Sequence, residues 1–270
     1  MKAMILAAGL GTRLRPLTDT RPKALVELNG RTLLEIALTR LRQFGVTAAI
    51  INVHHHAEMV VAYLKSKNNF NLHIEISRED DQLLDTGGGL KKAAWFFQES
   101  AANLDEPFLL HNVDIISTID LTAMLQFHTE HHAFATLAVQ SRPSSRQLLF
   151  TDQLQLVGRR VENQDALVSS DANTPASNSP LATSHSPLPQ SPISSVLHPL
   201  AFSGIHILSP RLLPQITETG AFSIIDTYLR LAAQGQKILA FRHDTAYWRD
   251  LGKPADLAQA ARDLNNGSME

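Results

Sequence analysis

The 270-residue sequence contains no cysteine, and its charges nearly cancel. Without cysteine, disulfide bonds and thiolate metal sites are excluded, and nothing in the composition opposes a reducing compartment. A formal net charge of −2 gives no electrostatic basis for binding nucleic acid or an anionic membrane surface. No apolar run reaches the ~18 residues that a transmembrane helix requires. The run after Lys2 is cut by Gly9 and Gly11, so it predicts a strand and a loop rather than a signal peptide. These absences predict a cytoplasmic protein.

The spacing of apolar residues predicts one α/β domain. Hydrophobic residues make up 44% of the chain, which is ordinary for a globular protein of this length. Apolar runs typical of buried strands alternate with stretches of helical spacing. The predicted strands cover 3–8, 46–53, 72–76, 108–111 and 133–140, and the predicted helices cover 33–41, 57–65 and 90–97. The alternation predicts a Rossmann-like, doubly wound sheet, mixed but mainly parallel, with helices on both faces. Ligands of such sheets bind at the carboxyl ends of the strands.

The stretch after the first predicted strand combines glycines with cationic side chains. Gly9 and Gly11 allow backbone N–H groups to turn toward a bound anion. Arg13 adds a planar cation suited to phosphate oxygens, and Lys23 adds a second cation. The pattern is not a P-loop, because no Gly-Lys-Ser/Thr occurs. It is not a dinucleotide fingerprint either, because Leu14 stands where the third glycine belongs. A polyphosphate cradle is the prediction, and a plain tight turn is the alternative.

Three later positions suggest further contributions to a site. The acidic stretch 79–85 leads into three glycines, 87–89, which would let a flat ligand lie on the backbone; a flexible loop is the alternative. Asp114 follows the fourth predicted strand and is suited to hold Mg²⁺ beside the cradle, or only to cap a helix. Asp250 lies between large apolar residues before a Gly-x-Pro break, where a structural cap is the alternative.

These motifs together resemble the signatures of the sugar-1-phosphate nucleotidyltransferases. The opening signature of that family is carried almost unbroken by AGLGTRLRPLT at 8–18 and PKAL at 22–25. TGGG at 86–89, NVD at 112–114, FSGI at 202–205 and WRDLG at 248–252 extend the resemblance over nearly the whole chain. It implies an enzyme that transfers a nucleotidyl group from a nucleoside triphosphate to a sugar 1-phosphate and releases pyrophosphate.

The resemblance also implies a set of site residues and a cofactor. Arg13 and Lys23 would act on the phosphates, and Asp114 and Asp250 would hold Mg²⁺. The positions that would bind the nucleotide are Leu6, Ala8, Gly9, Gly11, Thr12, Arg13, Gln82, Thr86, Gly87, Gly88 and Asn112. The positions that would bind the sugar phosphate are Lys23, Arg142, Arg146, Glu162, Ser203 and Gly204. The fold implied adds a small sugar-binding lobe to the sheet. No hexapeptide repeats follow, so the left-handed β-helix of larger relatives is not expected.

The chain departs from the family pattern at two places. Val113 stands where the family usually has glycine. The lysine that holds the incoming sugar phosphate in many members has no counterpart in Val161-Glu162-Asn163. Arg142 and Arg146 are the predicted substitutes, and two solvated arginines in a turn are the alternative.

A compositional break interrupts the predicted domain, which spans 1–264 and is followed by a flexible tail at 265–270. Residues 169–198 hold nine Ser and five Pro with a single acidic residue, Asp171. Such a segment cannot bury enough apolar surface to offset the entropy lost on ordering. We therefore predict a disordered insertion at about 165–198.

The exact substrates are left open by the sequence. The short chain, the TGGG loop and the missing lysine look most like an N-acetylmuramate-1-phosphate uridylyltransferase. Mannose-1-phosphate and heptose-1-phosphate guanylyltransferases are alternatives, and a phosphocholine cytidylyltransferase is a more distant one. A non-catalytic nucleotide-sugar regulator is the alternative from another class. The expected partners are a nucleoside triphosphate and a sugar 1-phosphate, with the oligomeric state open.

Overall fold

The computed structural model describes residues 1–98, 106–162, 164–168 and 196–267. The strands in these ranges are β1 (Lys2–Leu6), β2 (Glu27–Leu28), β3 (Arg31–Thr32), β4 (Ala48–Val53), β5 (His73–Arg78), β6 (Phe108–Asn112), β7 (Ile115–Ser117), β8 (Ala135–Gln140), β9 (Arg146–Phe150), β10 (Leu156–Val161), β11 (Gln164–Leu167), β12 (His198–Leu208), β13 (Ile238–Arg242) and β14 (Trp248–Asp250). The helices are α1 (Leu33–Gln43), α2 (Ala57–Ser66), α3 (Asp85–Ala93), α4 (Trp95–Gln98), α5 (Leu121–Glu130), α6 (Ile224–Ala233) and α7 (Pro254–Asn265).

Ten strands form one mixed sheet in the order β11-β10-β9-β12-β6-β1-β4-β5, with β8 and β13 branching from β12. Its centre is parallel: β1 lies between β4 and β6, and β5 lies beyond β4. The long strand β12 runs antiparallel to β6, β8 and β9. Strands β9 to β11 continue it as an antiparallel extension, which is the small lobe. The predicted mixed sheet with a parallel core is confirmed.

Helices cover both faces of the sheet because successive side chains of each strand point in opposite directions. Ile5 packs in the same cluster as Leu38 of α1. Its neighbour Met4 packs in the opposite cluster with Leu90 of α3 and Tyr228 of α6. The doubly wound prediction therefore holds, and the carboxyl ends of β1, β4 and β6 meet at one edge. In the described ranges no helix combines the length and apolarity that crossing a membrane demands.

The predicted bounds of the insertion and tail are wrong at their edges. Residues 164–167 form β11, which pairs with β10, and β12 already begins at His198. All four side chains of β11 are exposed, so the strand carries no alternation of apolar residues that the sequence could reveal. Helix α7 continues to Asn265, one residue into the predicted tail. Residues 169–195 and 268–270 lie outside the described residues, so the disorder predicted for them stays a prediction.

Candidate active site

The loop after β1 turns sharply because of Gly11, whose φ is +65°. A Cβ at this position would lie 2.8 Å from Cγ2 of Thr18, so only glycine fits. The Thr18 hydroxyl closes the turn by donating to the Gly11 carbonyl at 2.8 Å. At Gly9, by contrast, an added Cβ would meet nothing within 4 Å. The loop is thus held by Gly11 and open at Gly9, as a cradle for a ligand would be.

The Lys23 ammonium donates to the Asp114 carboxylate from across the cradle. Their side chains are 12% and 13% exposed, so the ion pair is largely shielded from water. Burial opposes ionisation of Asp114, but the charge and hydrogen bond of Lys23 outweigh it and hold the pKa of Asp114 below its ordinary value. The sequence separated these two groups by 91 positions, and the structure brings them into contact.

Asp250 joins this pair through a short antiparallel ribbon. β14 pairs with β7 so that Asp250 lies opposite Ile115, and the Leu251 N–H donates to the Asp114 carbonyl at 2.8 Å. Burial and the neighbouring Asp114 carboxylate raise the pKa of Asp250 above its ordinary value. Two carboxylates this close disfavour joint ionisation unless a cation lies between them. Asp114 and Asp250 therefore lie together, and a metal ion held by them stays a prediction.

The donor set fits a magnesium ion that is shared with substrate. Within the described ranges, no cluster of three or more His, Cys, Asp or Glu side chains is placed to hold a metal by itself. Mg²⁺ is commonly held by one or two carboxylates together with substrate phosphates and water. Asp114 and Asp250 supply such a pair beside a loop suited to phosphates.

A cleft of about 390 Å³ opens beside the ion pair. Seven of the predicted site residues line it: Leu6, Ala8, Gly9, Lys23, Thr86, Asn112 and Asp114. Six other residues complete the lining: Ala7, Asn52, Leu83, Asp85, Val113 and Ala221. Its size is within the range of small-molecule sites. The cleft lies at the carboxyl ends of β1, β4 and β6, where the fold predicted a ligand.

Asn52 is a member of the site that sequence reasoning missed. Its Oδ1 accepts from the Ala7 N–H at 2.7 Å, and its Nδ2 donates to Glu79 Oε1 at 2.7 Å. The other oxygen of the buried Glu79 accepts from the Leu84 N–H at 2.8 Å. This chain of bonds ties the phosphate loop to the loop before α3. An asparagine at the end of a buried apolar strand was the available signal.

The glycines of α3 do not serve the purpose that the sequence suggested. Gly87 and Gly88 lie buried inside the first turns of the helix and do not line the cleft. A Cβ on Gly87 would lie 2.3 Å from the Phe222 ring, and one on Gly88 would lie 2.5 Å from the Gly220 carbonyl oxygen. The space where a flat ligand was expected is filled by the chain itself. These glycines allow α3 to pack closely against residues 220–222.

Arg13 lies at the exposed side of the site, on a turn of 3₁₀ helix, Thr12–Leu14. Its Nη2 is 3.9 Å from Oδ2 of Asp250. A Cβ at Gly252 would lie 2.6 Å from this nitrogen, so the absence of a side chain there makes room for the guanidinium. Thr12 and Gln82 are exposed and, like Arg13 and Gly11, do not line the cleft. Their contacts with a nucleotide stay predictions.

The two predicted substitutes for the missing lysine lie in different places. The Arg142 guanidinium stacks 3.7 Å from the centre of the Trp248 ring and donates to the Phe202 carbonyl at 2.8 Å. Burial lowers the pKa of Arg142, and the Asp250 charge opposes that shift, which places this arginine near the metal pair. Arg146 is exposed on β9 and lines a separate cleft of about 590 Å³ in the small lobe. Arg142 is the better placed of the two.

The other residues predicted to bind the sugar phosphate also lie in different environments. The buried Ser203 hydroxyl bonds to His243 Nε2 at 2.8 Å, so its side chain faces the interior rather than a sugar. Gly204, with φ +75°, packs where a Cβ would lie 2.9 Å from Asn112 Nδ2. Glu162 is exposed in the turn between β10 and β11. Direct sugar contact through the Ser203 side chain is thus a wrong prediction, because that hydroxyl already has a buried partner.

The fold and the cleft together define an α/β protein with a glycine-containing loop and a carboxylate pair beside one cleft. The chain belongs to the nucleotidyl transferase family, whose model matches residues 2–149. It is 32% identical to the N-acetylmuramate alpha-1-phosphate uridylyltransferase of Caulobacter vibrioides over 96% of both chains. It is 30% identical to the mannose-1-phosphate guanyltransferase of Aspergillus fumigatus over 95% of this chain and 62% of that protein. A crystal structure of a UDP-glucose pyrophosphorylase with UDP-glucose shares the fold, with a TM-score of 0.73 at 18% identity over 98% of both chains. The chain is therefore an enzyme of nucleotidyl transfer to sugar 1-phosphates, as its motifs indicated.

Proposed function

We propose that the protein transfers UMP from UTP to N-acetylmuramate 1-phosphate, with Mg²⁺ held by Asp114 and Asp250. The observation that carries the choice of substrates is the 32% identity to the Caulobacter uridylyltransferase, which extends over 96% of each chain. The N-acetylmuramate alpha-1-phosphate uridylyltransferase of Neisseria meningitidis is also similar, at 30% identity over 96% of both chains. The mannose guanylyltransferases, by contrast, are longer proteins.

The reaction is a displacement at the α-phosphorus of the nucleoside triphosphate. An oxygen of the sugar 1-phosphate forms the new P–O bond, and the bond to pyrophosphate breaks. The attacking oxygen is already anionic at neutral pH, so the site needs no general base. It needs two polyanions held in line and their charge neutralised. Bound between Asp114 and Asp250, Mg²⁺ would supply the neutralisation at the phosphates.

The cationic side chains have distinct positions for this task. Arg13, exposed at the mouth of the site, would hold the β- and γ-phosphates. Lys23 would bind the reacting phosphate, and the open loop at Gly9 would donate backbone N–H groups. Arg142, stacked on Trp248 near Asp250, would hold the incoming sugar phosphate. The Nε of Arg142 is buried and has no hydrogen-bond partner among the described residues. The residue as a whole is only half-buried.

A pyrophosphate-release screen tests the substrates directly. Four nucleoside triphosphates are combined with 1-phosphates of N-acetylmuramate, N-acetylglucosamine, glucose and mannose, with Mg²⁺. We expect the highest kcat/KM for UTP with N-acetylmuramate 1-phosphate. N-acetylglucosamine 1-phosphate is the matched control, because it lacks only the lactyl group. The highest value with GTP and mannose 1-phosphate would instead select the second candidate, which the 30% identity to the Aspergillus guanyltransferase favours.

A further inference from the structure

A second cleft, of about 610 Å³, lies between α1, β7 and the end of α7. It shares no lining residue with the nucleotide cleft. Its volume is again that of a small-molecule site. Among the described residues that line it, none is acidic, and two, Arg31 and Arg40, are cationic. Arg31 is already paired with Glu35 at 3.2 Å, so Arg40 is the cation that this cleft can offer to a ligand.

Arg40 is the charged group at the inner wall of this cleft. Its guanidinium donates to Ser117 Oγ at 2.8 Å and to the Ile119 carbonyl at 2.5 Å. Both partners are neutral, and within the part of the chain that the structure describes Arg40 forms no ion pair. Burial lowers the pKa of Arg40 to about 10, which leaves it charged at neutral pH. A largely buried cation without a counter-charge is costly, and an oxyanion would offset that cost.

His111 supplies a second unsatisfied group beside Arg40. It is 1% exposed, and its Nδ1 lies 2.7 Å from the Asn112 carbonyl oxygen, which can only accept. Nδ1 therefore carries the proton, and Nε2 presents a lone pair. Burial and the charge of Arg40 lower the pKa of His111 to about 4, so the ring is neutral. Nε2 is buried and has no hydrogen-bond partner among the described residues. It is an acceptor that lacks a donor.

We propose that this cleft binds a small metabolite with an oxyanion next to a hydroxyl, such as a phosphorylated polyol or a hydroxy acid. The Arg40 guanidinium pairs with the oxyanion, and the ligand hydroxyl donates to His111 Nε2. Apolar side chains of Ile36, Ile116 and Leu264 cover the carbon skeleton. The site lies behind the ribbon that carries Asp250, since Ser117 pairs with Trp248 across it.

Isothermal titration calorimetry of the full chain tests the site with two matched pairs of probes. Glycerol 3-phosphate is compared with propyl phosphate, and L-malate with succinate, so that each pair differs in hydroxyl groups. We expect at least one hydroxylated probe to bind with a Kd below ~1 mM and at least tenfold tighter than its partner. The pair that binds more tightly identifies the oxyanion as phosphate or carboxylate. The absence of binding by both hydroxylated probes would overturn the proposal.

Variants locate the binding. Arg40→Gln should weaken it at least tenfold, and His111→Phe should abolish the preference for the hydroxylated probe. Since both residues are buried, Gln43→Trp is the second test: Gln43 is exposed and lines the cleft, and the indole would fill the cleft while Arg40 keeps its charge. Arg42→Gln, on the same helix but outside the cleft, is the matched control and should bind normally. Arg13→Ala should bind normally too. Loss of binding in Arg13→Ala together with full binding in Gln43→Trp would assign the probes to the nucleotide site and refute the second one.

Discussion

The two carboxylates of the site should respond to neutralisation with opposite changes in stability. Burial and the Asp114 carboxylate raise the pKa of Asp250, so its negative charge is unfavourable in the native state. Asp250→Asn removes this charge. In the native protein the Gly252 N–H donates to Asp250 Oδ1 at 2.7 Å, and the amide oxygen of the asparagine can still accept this hydrogen bond. Asp114→Asn removes the counter-charge of Lys23 in a pair whose side chains are 12% and 13% exposed. We predict that Asp250→Asn stabilises the native state and that Asp114→Asn destabilises it, while both abolish most activity.

The magnitudes follow from how far each group is shielded from water. The Asp250 side chain is 39% exposed, so solvent screening reduces its effect, and we expect a gain of ~0.5–1 kcal/mol. Removing one partner of a shielded ion pair costs ~3–5 kcal/mol. The asparagine oxygen still accepts from Lys23, so ~2–3 kcal/mol is expected for Asp114→Asn. For a protein of this size these values correspond to shifts in Tm of roughly +1 to +4 °C and −4 to −12 °C.

Thermal unfolding without nucleotide or metal measures both shifts, with Glu58→Gln as the control for loss of an exposed carboxylate. Ionisation of Asp250 costs stability above its raised pKa, so the advantage of Asp250→Asn should fade as the pH falls through that pKa. The lowered pKa of Asp114 has the opposite consequence: its contribution is present above the ordinary pKa of aspartate and is lost as the pH falls through the lowered value. A drop in Tm for Asp250→Asn at neutral pH would refute the assigned repulsion.

In the activity assay, the double variant should be hardly worse than either single one, whereas multiplicative losses would place the carboxylates in separate roles.

Three further changes separate catalysis from packing. Arg13→Ala should lower kcat/KM at least tenfold and leave Tm within ~1 °C, because the side chain is exposed; Arg15→Ala, on the same loop, is its control, and equal kinetics in both would remove Arg13 from the site. Gly87→Ala should lower the free energy of unfolding by ~1–3 kcal/mol, because the added methyl group would clash with Phe222. Gly9→Ala has open space around it, so it should leave Tm unchanged and weaken nucleotide binding. The reverse pattern would restore Gly87 as a ligand contact. Replacing 169–195 with a short Gly-Ser turn should leave both Tm and turnover nearly unchanged, as its composition predicts, and a large loss of either would show that the segment packs on the core.

The sequence predicted those features of the site that depend on local chemistry. Gly11, Arg13 and Lys23 lie within one short stretch, and each has a residue type that a phosphate loop requires. The positions of the central strands and the parallel core could be inferred from apolar runs because β1, β4 and β6 are buried on both faces. Asp114 and Asp250 were paired correctly only because of a resemblance, since nothing local links positions 136 residues apart.

The failures concern side chains whose role depends on distant packing. Gly87 and Gly88 looked like ligand contacts because glycine at a helix start permits close approach. The partner that approaches is the chain itself, at Phe222 and Gly220. Ser203 was assigned to the sugar because FSGI at 202–205 resembles a family signature, but its hydroxyl faces His243 in the core. In each case the residue type predicted a close contact correctly, and only the folded chain determines what makes that contact.

The ion pair between Lys23 and Asp114 suggests how the free enzyme tolerates a site built for polyanions. Without substrate, Lys23 is the counter-charge that keeps Asp114 ionised, while burial and the Asp114 carboxylate raise the pKa of Asp250. A triphosphate entering with Mg²⁺ would offer Lys23 a phosphate and both carboxylates a metal, so each charge exchanges one partner for another. No buried charge is left alone at any stage, which is what a shielded site requires. Lys23→Met should therefore raise the pH needed to ionise Asp114 and strengthen the dependence of activity on pH, whereas an unchanged pH profile would show that Lys23 does not stand in for the metal.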